Sequence, residues 1–298
     1  MSRNNSKLGA APPQSSPQPD TVPETTSVDT LSASNFAFPM TTEMVPLPSH
    51  GLLYPPGHPL EGVSEIEIKM MTAKEEDILT NASFIRNGTA LDRVLRSIIV
   101  DKSIDLDSLM IGDKNALLVA ARMSAYGDIY AATVTCPHCT AKNNLNLNLR
   151  EVLDVDPLDT DDLGSSVEIT ENKTIKITAP RTKFQFEFRP RIGEDDKQIE
   201  QKNKRLKKMK LAVGNGLPSL TEAFRQVTLS INGNSDPSVI DKVFDNLPAF
   251  DFRFLRTTYN DIVPSINMIA NLECTACGAE EVISVPMNAD FFWPDIKV

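Results

Sequence analysis

The sequence predicts an α+β fold in which a large α+β insertion divides a small base of helices and strands. Two observations lead to this prediction. All four cysteines fall in two CxxC motifs, Cys136–Cys139 and Cys274–Cys277, which lie far apart in the chain. Each motif lies between two segments of strand character, and mixed helical and strand patterns fill the interval between them. The base is therefore predicted to carry a split four-cysteine zinc ribbon, with one knuckle on each side of the insertion.

A CxxC motif on a turn between two strands is typical of a zinc knuckle, in which both thiolates point to one side of the turn. Strand-like segments Ile129–Thr135 and Asn144–Leu149 flank the first motif, and Met268–Glu273 and Glu281–Val285 flank the second. Four thiolates close a tetrahedral shell, which favours structural over catalytic zinc. His138 is then expected to be a bystander. The predicted zinc ligands are Cys136, Cys139, Cys274 and Cys277.

Two other uses of the cysteines compete with zinc binding. A dithiol oxidoreductase would place Cys-Pro-His-Cys at a helix N-terminus. However, Leu145, Leu147 and Leu149 alternate with asparagine, which indicates a strand after the motif, and this chemistry leaves the second CxxC without a purpose. Two structural disulfides would need an oxidising compartment. Because the N-terminus lacks the apolar core of a secretory signal, we expect the protein to remain inside the cell with reduced thiols.

Composition excludes some classes of partner. The chain has 298 residues, of which 41% are hydrophobic, so it can bury a sizeable core. No apolar run approaches the roughly 20 residues of a membrane span, and no membrane partner is expected. The net charge is −10, from 40 acidic and 30 basic residues. Because this charge repels phosphate, nucleic acid is disfavoured as a partner.

The N-terminal part is predicted to contain no packed domain of its own. Residues 1–35 are rich in Ser, Pro, Thr and Asn, and we expect this tail to be disordered. Residues 36–63 are predicted to form an extended arm, because prolines at this density forbid helix and interior strand. The apolar side chains of the arm need a surface, so the arm either wraps its own domain or clasps a neighbouring subunit. The predicted partner-binding residues are Leu47, Leu52, Leu53 and Tyr54.

The base begins with a strand and three helices. Ser64–Met70 alternates between apolar and polar residues, which predicts the strand. Thr72–Glu75 is a capping box that opens a helix extending through Leu79. The second helix is predicted from one apolar stripe, formed by Leu91, Val94, Leu95, Ile98 and Ile99. Asp113 is predicted to cap the third helix, which ends at Gly127.

The base domain is predicted to comprise residues 64–150 and 267–298, and residues 151–266 to form the inserted α+β domain. Ser166–Ile177 and Lys183–Phe188 are predicted as the strands of a hairpin. Zinc could hold the ends of the insertion together, because closing so long a loop costs a few kcal/mol, against roughly 10–16 kcal/mol for zinc binding to thiolates. Helices are predicted near Glu194–Lys210, Leu220–Ile231, Ser238–Asn246 and Asp251–Val263.

The sequence lacks the common catalytic motifs. It has three histidines, and two of them, His50 and His58, lie in the proline-rich arm. No nucleophile elbow, phosphate-binding loop, HExxH or dinucleotide fingerprint is present. We therefore predict that the protein is not an enzyme.

Four sequence blocks follow one another in the first half of the chain: Leu47–Pro55, Met71–Thr80, Ile111–Leu118 and Cys136–Cys139. Together they resemble the baseplate proteins of T-even-type tailed bacteriophages, in particular baseplate hub subunits and hub assembly proteins. The resemblance covers about Val45 to Leu149, and the C-terminal CxxC is consistent with it. It implies a structural or assembly role in a contractile-tail baseplate, with other baseplate or tail hub proteins as partners.

This resemblance implies a location in the host cell cytoplasm during assembly and in the virion tail baseplate. It leaves open whether the chain is a lasting virion component or a transient assembly factor. A second hypothesis is a zinc-ribbon nucleic-acid-binding protein that uses the basic run Lys202–Lys210. The charge near the knuckles argues against it, because Glu273, Glu280 and Glu281 outnumber Lys142 there.

Overall fold

The computed structural model describes residues 41–160, 163–208, 220–285, 287 and 289–292. The predicted disordered tail, residues 1–35, lies outside the described residues, as do residues 36–40 of the predicted arm. In the basic run, the side chains of residues 202–208 and all of residues 209–210 also lie outside this description.

The chain folds into helices and short strands, which confirms the predicted α+β class. The first half contains, in order, β1 (Thr42–Pro46), β2 (Glu65–Lys69), α1 (Ala73–Thr80), α2 (Ala82–Asn87), α3 (Ala90–Ile98), α4 (Ile111–Tyr126), β3 (Ile129–Thr135), β4 (Lys142–Asn148) and α5 (Leu149–Leu153). The second half contains β5 (Val167–Ile169), β6 (Ile175–Thr178), β7 (Gln185–Phe188), α6 (Gly193–Lys208), α7 (Leu220–Val227), β8 (Thr228–Ile231), α8 (Pro237–Asn246), α9 (Ala249–Ile262), β9 (Ile269–Glu273), β10 (Glu280–Ser284) and α10 (Ala289–Phe292).

The strands pair in small antiparallel sheets. β1 pairs with β2, β3 with β4, and β9 with β10, each as a two-stranded sheet. Strands β5 to β8 form a four-stranded sheet in chain order within the predicted insertion. The two CxxC motifs occupy the turns of the β3–β4 and β9–β10 hairpins, so each motif lies between two strands as predicted.

Two details of the predicted insertion are wrong. The segment Ser166–Ile177 is not one strand but two, β5 and β6, joined by a turn in which Lys173 has a left-handed φ of 62°. The predicted helix Leu220–Ile231 ends at Val227, and its last four residues form β8 instead. β8 pairs with β7 and satisfies backbone groups that would otherwise lie on an unpaired sheet edge. Tertiary pairing therefore overrides the local helical pattern.

The proline-rich segment wraps its own domain. β1 ends at Pro46 and pairs along its length with β2, so a strand forms despite the prolines that follow. The turn beyond it needs Gly51, which has a φ of 71° and whose added Cβ would lie 2.3 Å from the Val63 nitrogen. The Gly62 N–H donates to the Gly51 carbonyl (3.0 Å) and closes the segment on itself.

The helices of the base differ from the prediction at two places, namely Asp113 and the short helix α2, which the sequence pattern did not predict. Helix α1 starts after Thr72, whose N–H donates to the Glu75 carboxylate (3.0 Å), which confirms the capping box. The predicted stripe on α3 is buried, apart from the half-buried Leu91. The predicted N-cap at Asp113 is wrong, because α4 begins earlier, at Ile111, and Asp113 is fully buried within its first turn.

Aromatic side chains fill the core of the predicted insertion. The Phe188 ring packs edge-on against Phe224 (centroids 6.0 Å apart) and Tyr259 (5.6 Å). Phe186 makes a similar contact with Phe244 (5.8 Å). Such pairs are favoured by the ring quadrupoles. These side chains belong to one continuous hydrophobic core that also includes the base, and the division into two domains stays a prediction.

Within the described part of the chain, none of the helices is both long enough and apolar enough to cross a membrane.

Candidate metal centre

The two CxxC turns share one backbone geometry. In the first, the Cys136 N–H donates to the Ala141 carbonyl (2.9 Å), and the Thr140 N–H donates back to the Cys136 carbonyl (2.9 Å). The second turn repeats both bonds, from Cys274 to Ala279 (2.9 Å) and from Gly278 to Cys274 (2.8 Å). The residue after each second cysteine has a left-handed φ, 60° at Thr140 and 70° at Gly278. Each turn therefore presents its two sulfurs to the same side.

The four predicted ligands lie together. The ligand atoms of Cys136, Cys139, Cys274 and Cys277 all lie within 4.8 Å of one another. Across the two turns, the sulfurs of Cys136 and Cys277 are 3.9 Å apart, and those of Cys139 and Cys274 are 3.5 Å apart. A tetrahedral ion with metal–sulfur bonds of about 2.3 Å requires sulfur separations of about 3.8 Å. The donor set and its spacing thus fit one tetrahedral metal ion.

The same distances argue against disulfides. All four cysteines are free thiols, and bonded sulfurs would lie about 2.05 Å apart. Cys136 and Cys274 are buried, Cys139 is half-buried and Cys277 is exposed. Since both of these sulfur contacts join different turns, the cluster links β3–β4 to β9–β10.

The thiols affect one another's ionisation. The backbone N–H groups of Ala276 and Cys277 lower the pKa of Cys274 to about 6, because they stabilise a thiolate. At Cys139 the Ala141 N–H also lowers the pKa, but hydrogen bonds with the sulfurs of Cys277 and Cys274 outweigh it and raise the pKa to about 12. One thiolate therefore opposes the formation of the next, and a bound cation would relieve this repulsion.

Each knuckle also receives a polar side chain from the other hairpin. Buried Asn143, on β4, donates to the Cys274 sulfur (3.5 Å) and accepts from the Thr275 N–H and hydroxyl (both 3.0 Å). Glu281, on β10, contacts the exposed His138 ring nitrogen (2.7 Å). Asn143 and Glu281 occupy equivalent positions in their own hairpins. Sequence analysis missed both contacts. Asn143 is one of several asparagines on β4, and nothing in the local sequence distinguishes it from the others.

The predicted partner-binding residues lie largely inside the protein. Leu47, Leu53 and Tyr54 are almost fully buried in the chain's own core, and Leu52 is half-buried. A partner contact through these side chains stays a prediction. It would require the segment to leave this core.

A polar network that sequence analysis missed holds the segment that follows β1 on helix α4. The buried Asp113 carboxylate accepts from the Ser49 N–H (3.0 Å), the Ser49 hydroxyl (2.6 Å) and the Tyr54 hydroxyl (2.8 Å). The Tyr54 oxygen in turn accepts from the Met110 N–H (3.1 Å). Burial raises the pKa of both Asp113 and Tyr54. The network joins two of the sequence blocks that carry the family resemblance, Leu47–Pro55 and Ile111–Leu118.

Exposed acidic side chains on the two hairpins of the ribbon outnumber the exposed Lys142. Glu273 and Glu280 are paired in the β9–β10 register, and both are exposed, as is Glu281. Such a surface repels a phosphate backbone. The geometry near the cysteines therefore does not favour the nucleic-acid-binding alternative.

Comparison with known proteins identifies the family. The family model described as T4 bacteriophage base plate protein matches residues 56–293. Searches of curated proteins and of solved structures gave no match. The matched residues include both CxxC turns, the whole insertion, and helix α4 with Asp113. Since the match spans most of the sequence, the chain belongs to the family of T4 bacteriophage base plate proteins.

Proposed function

We propose that this protein is a structural or assembly component of the hub region of a contractile-tail baseplate. It would act through contacts with other baseplate or tail hub proteins, without catalysis. One observation carries the proposal: the family match extends over residues 56–293 and therefore covers both knuckles and the insertion. An assembly role needs a rigid scaffold, and the cysteine cluster supports one.

The metal in this proposal is a structural zinc ion. Cys136, Cys139, Cys274 and Cys277 would hold it, since four thiolates match the preference of zinc and close its coordination shell. When bound, zinc compensates the thiolate charges and ties the two hairpins together. Asn143 would orient the Cys274 sulfur through its hydrogen bond (3.5 Å).

Metal analysis of freshly purified full-length protein tests the zinc. We expect about one zinc per chain, and loss of zinc with poor folding in Cys136→Ser and Cys277→Ser. Ser103→Ala, at an exposed position on a loop of the base, is the control and should keep the metal. Wild-type protein that purifies folded and without zinc would contradict the proposal.

Phage lacking the gene for this chain test the role. We expect particles with incomplete baseplates in electron micrographs and restoration by the wild-type gene supplied in trans. Mass spectrometry of purified virions then distinguishes the two remaining forms of the proposal. A lasting component is present in virions, whereas a transient factor is found only in infected-cell extracts. Normal infectious particles formed without the gene would refute both.

A further inference from the structure

A groove lies beside β1, away from the cysteine cluster. It encloses a cavity of about 430 Å³ between β1, helix α4 and the α5 region. That volume falls within the range of sites that take small ligands or partner side chains. The residues that the inference uses are Glu43, Met44, Met70, Asp128, Arg150 and Asp154.

One wall of the groove holds the Glu43 carboxylate. Its Oε1 atom is buried and has no hydrogen-bond partner in the part of the chain that the structure describes. Burial raises the pKa of Glu43, and the nearby Arg150 guanidinium only partly offsets this effect. An acceptor removed from water without a donor is costly, and native proteins usually satisfy such atoms. This oxygen is therefore suited to receive a donor from outside the chain.

The charge of the groove is negative. Among the described residues on its walls, Arg150 is the only arginine or lysine, and its guanidinium already binds Asp128 (2.6 Å). Glu43 and Asp154 have no ion-pair partner among the described residues. His50, which also lines the groove, directs its ring nitrogen to the Val155 carbonyl (3.3 Å). A cationic group is thus the complementary ligand.

The rim of the groove is apolar. Met44 is 56% exposed and Met70 is 40% exposed, although both are large hydrophobic residues. Unbranched thioether side chains adapt their shape to a partner surface, and exposed methionines are common at binding sites. The groove therefore combines a central negative charge with an adaptable apolar border.

We propose that this groove is a docking site for a partner polypeptide that inserts a lysine or arginine side chain towards Glu43. Apolar residues beside that basic residue cover Met44 and Met70. The inserted cation donates to the Glu43 Oε1 atom and approaches Asp154. The inference rests on the proposed function in one respect, namely that the partner is a protein.

Methionine-methyl NMR of the full-length protein tests the docking site. The probes are acetyl-Leu-Arg-Leu-amide, the same peptide with citrulline or glutamate in place of arginine, and butylguanidinium alone. We expect the arginine peptide to shift the methyl signals of Met44 and Met70, and to leave those of buried Met110 and Met268 in place. The effect should weaken with salt, because it depends on charge. The other two peptides should bind at least fivefold more weakly.

Two variants connect the signal to the groove. Glu43→Gln should weaken binding of the arginine peptide about fivefold, and Asp154→Asn should act in the same direction. Glu65→Gln, at an exposed position on β2, is the matched control and should have no effect. Equal binding of all three peptides, absence of any shift, or equal binding of butylguanidinium and the arginine peptide would overturn the proposal. None of these results bears on the baseplate role, which the gene deletion tests separately.

Discussion

At the scale of single residues, the two knuckles differ at one strained position. Thr140 and Gly278 follow the second cysteine of each turn, and both have a left-handed φ, of 60° and 70°. A β-branched residue pays a steric cost there that glycine avoids. The Thr140 hydroxyl donates to the Cys139 carbonyl (2.6 Å), which offsets part of this cost. The two turns thus reach one geometry with different backbone strain.

Thr140→Gly should keep the metal and stabilise the protein by up to about 1 kcal/mol, because it removes this strain. Gly278→Ala should destabilise it by about 1 kcal/mol. A methyl group added at Gly278 meets no neighbouring atom within 4 Å. The loss of stability in Gly278→Ala therefore measures the cost of the left-handed backbone conformation. Denaturant unfolding of the zinc-loaded proteins measures both changes. A large loss of stability in Thr140→Gly would show that the hydroxyl matters more than the strain.

Asn143→Ala should lower zinc affinity by roughly tenfold, because it removes the donor to the Cys274 sulfur and leaves the Thr275 N–H without its acceptor. Competition with a chromophoric chelator measures the affinity. Asn146→Ala is the matched control, since Asn146 lies on the same strand but is exposed. Equal affinities of the two variants would remove Asn143 from the metal site.

At the scale of elements, the segment after β1 and helix α4 behave as one unit. Asp113 lies in the first turn of α4 and accepts hydrogen bonds from Ser49 and Tyr54. At the same end of α4, a Cβ added to Gly112 would lie 2.1 Å from the Pro264 carbonyl oxygen. One helix end therefore contacts both the N-terminal segment and the chain that leads into the second knuckle.

Tyr54→Phe should destabilise the protein by about 1–3 kcal/mol, because the buried Asp113 carboxylate loses a donor and the Met110 N–H loses its acceptor. The Tyr54 ring stacks on His58 with the ring centroids 4.4 Å apart. Because a phenyl ring keeps this contact, the change in stability reports on the hydroxyl alone. Thermal and denaturant unfolding measure the loss. Thr80→Val, which removes an exposed hydroxyl at the end of α1, is the control. An unchanged stability of Tyr54→Phe would mean that water replaces the hydroxyl.

At the scale of the whole molecule, two interactions of different kinds hold the chain together. The cysteine cluster joins the hairpins β3–β4 and β9–β10, which flank the insertion in the sequence. The aromatic side chains around Phe186 and Phe188 pack against one another within the continuous hydrophobic core. Loss of a metal should therefore affect the two hairpins before it affects the four-stranded sheet.

Removal of metal with a strong chelator should lower the melting temperature by at least about 10 °C, since several kcal/mol of binding energy are lost. Hydrogen exchange should accelerate in β3, β4, β9 and β10, while amides of β6 and β7 stay protected. Cys136→Ser should show fast exchange in the hairpins with or without chelator. Uniform acceleration across all strands would instead mean that the insertion depends on the metal.

Local patterns in the sequence determined the α+β class, the two CxxC turns between strands, the capping box at Thr72 and the apolar stripe on α3. These features depend on residues a few positions apart, so they can be recognised without the fold. Only the tertiary structure decided that Asp113 binds Ser49 and Tyr54, that Thr228–Ile231 forms a strand, and that Asn143 reaches the second knuckle. These contacts join residues that are distant in the sequence, and burial and backbone pairing there outweigh local propensity.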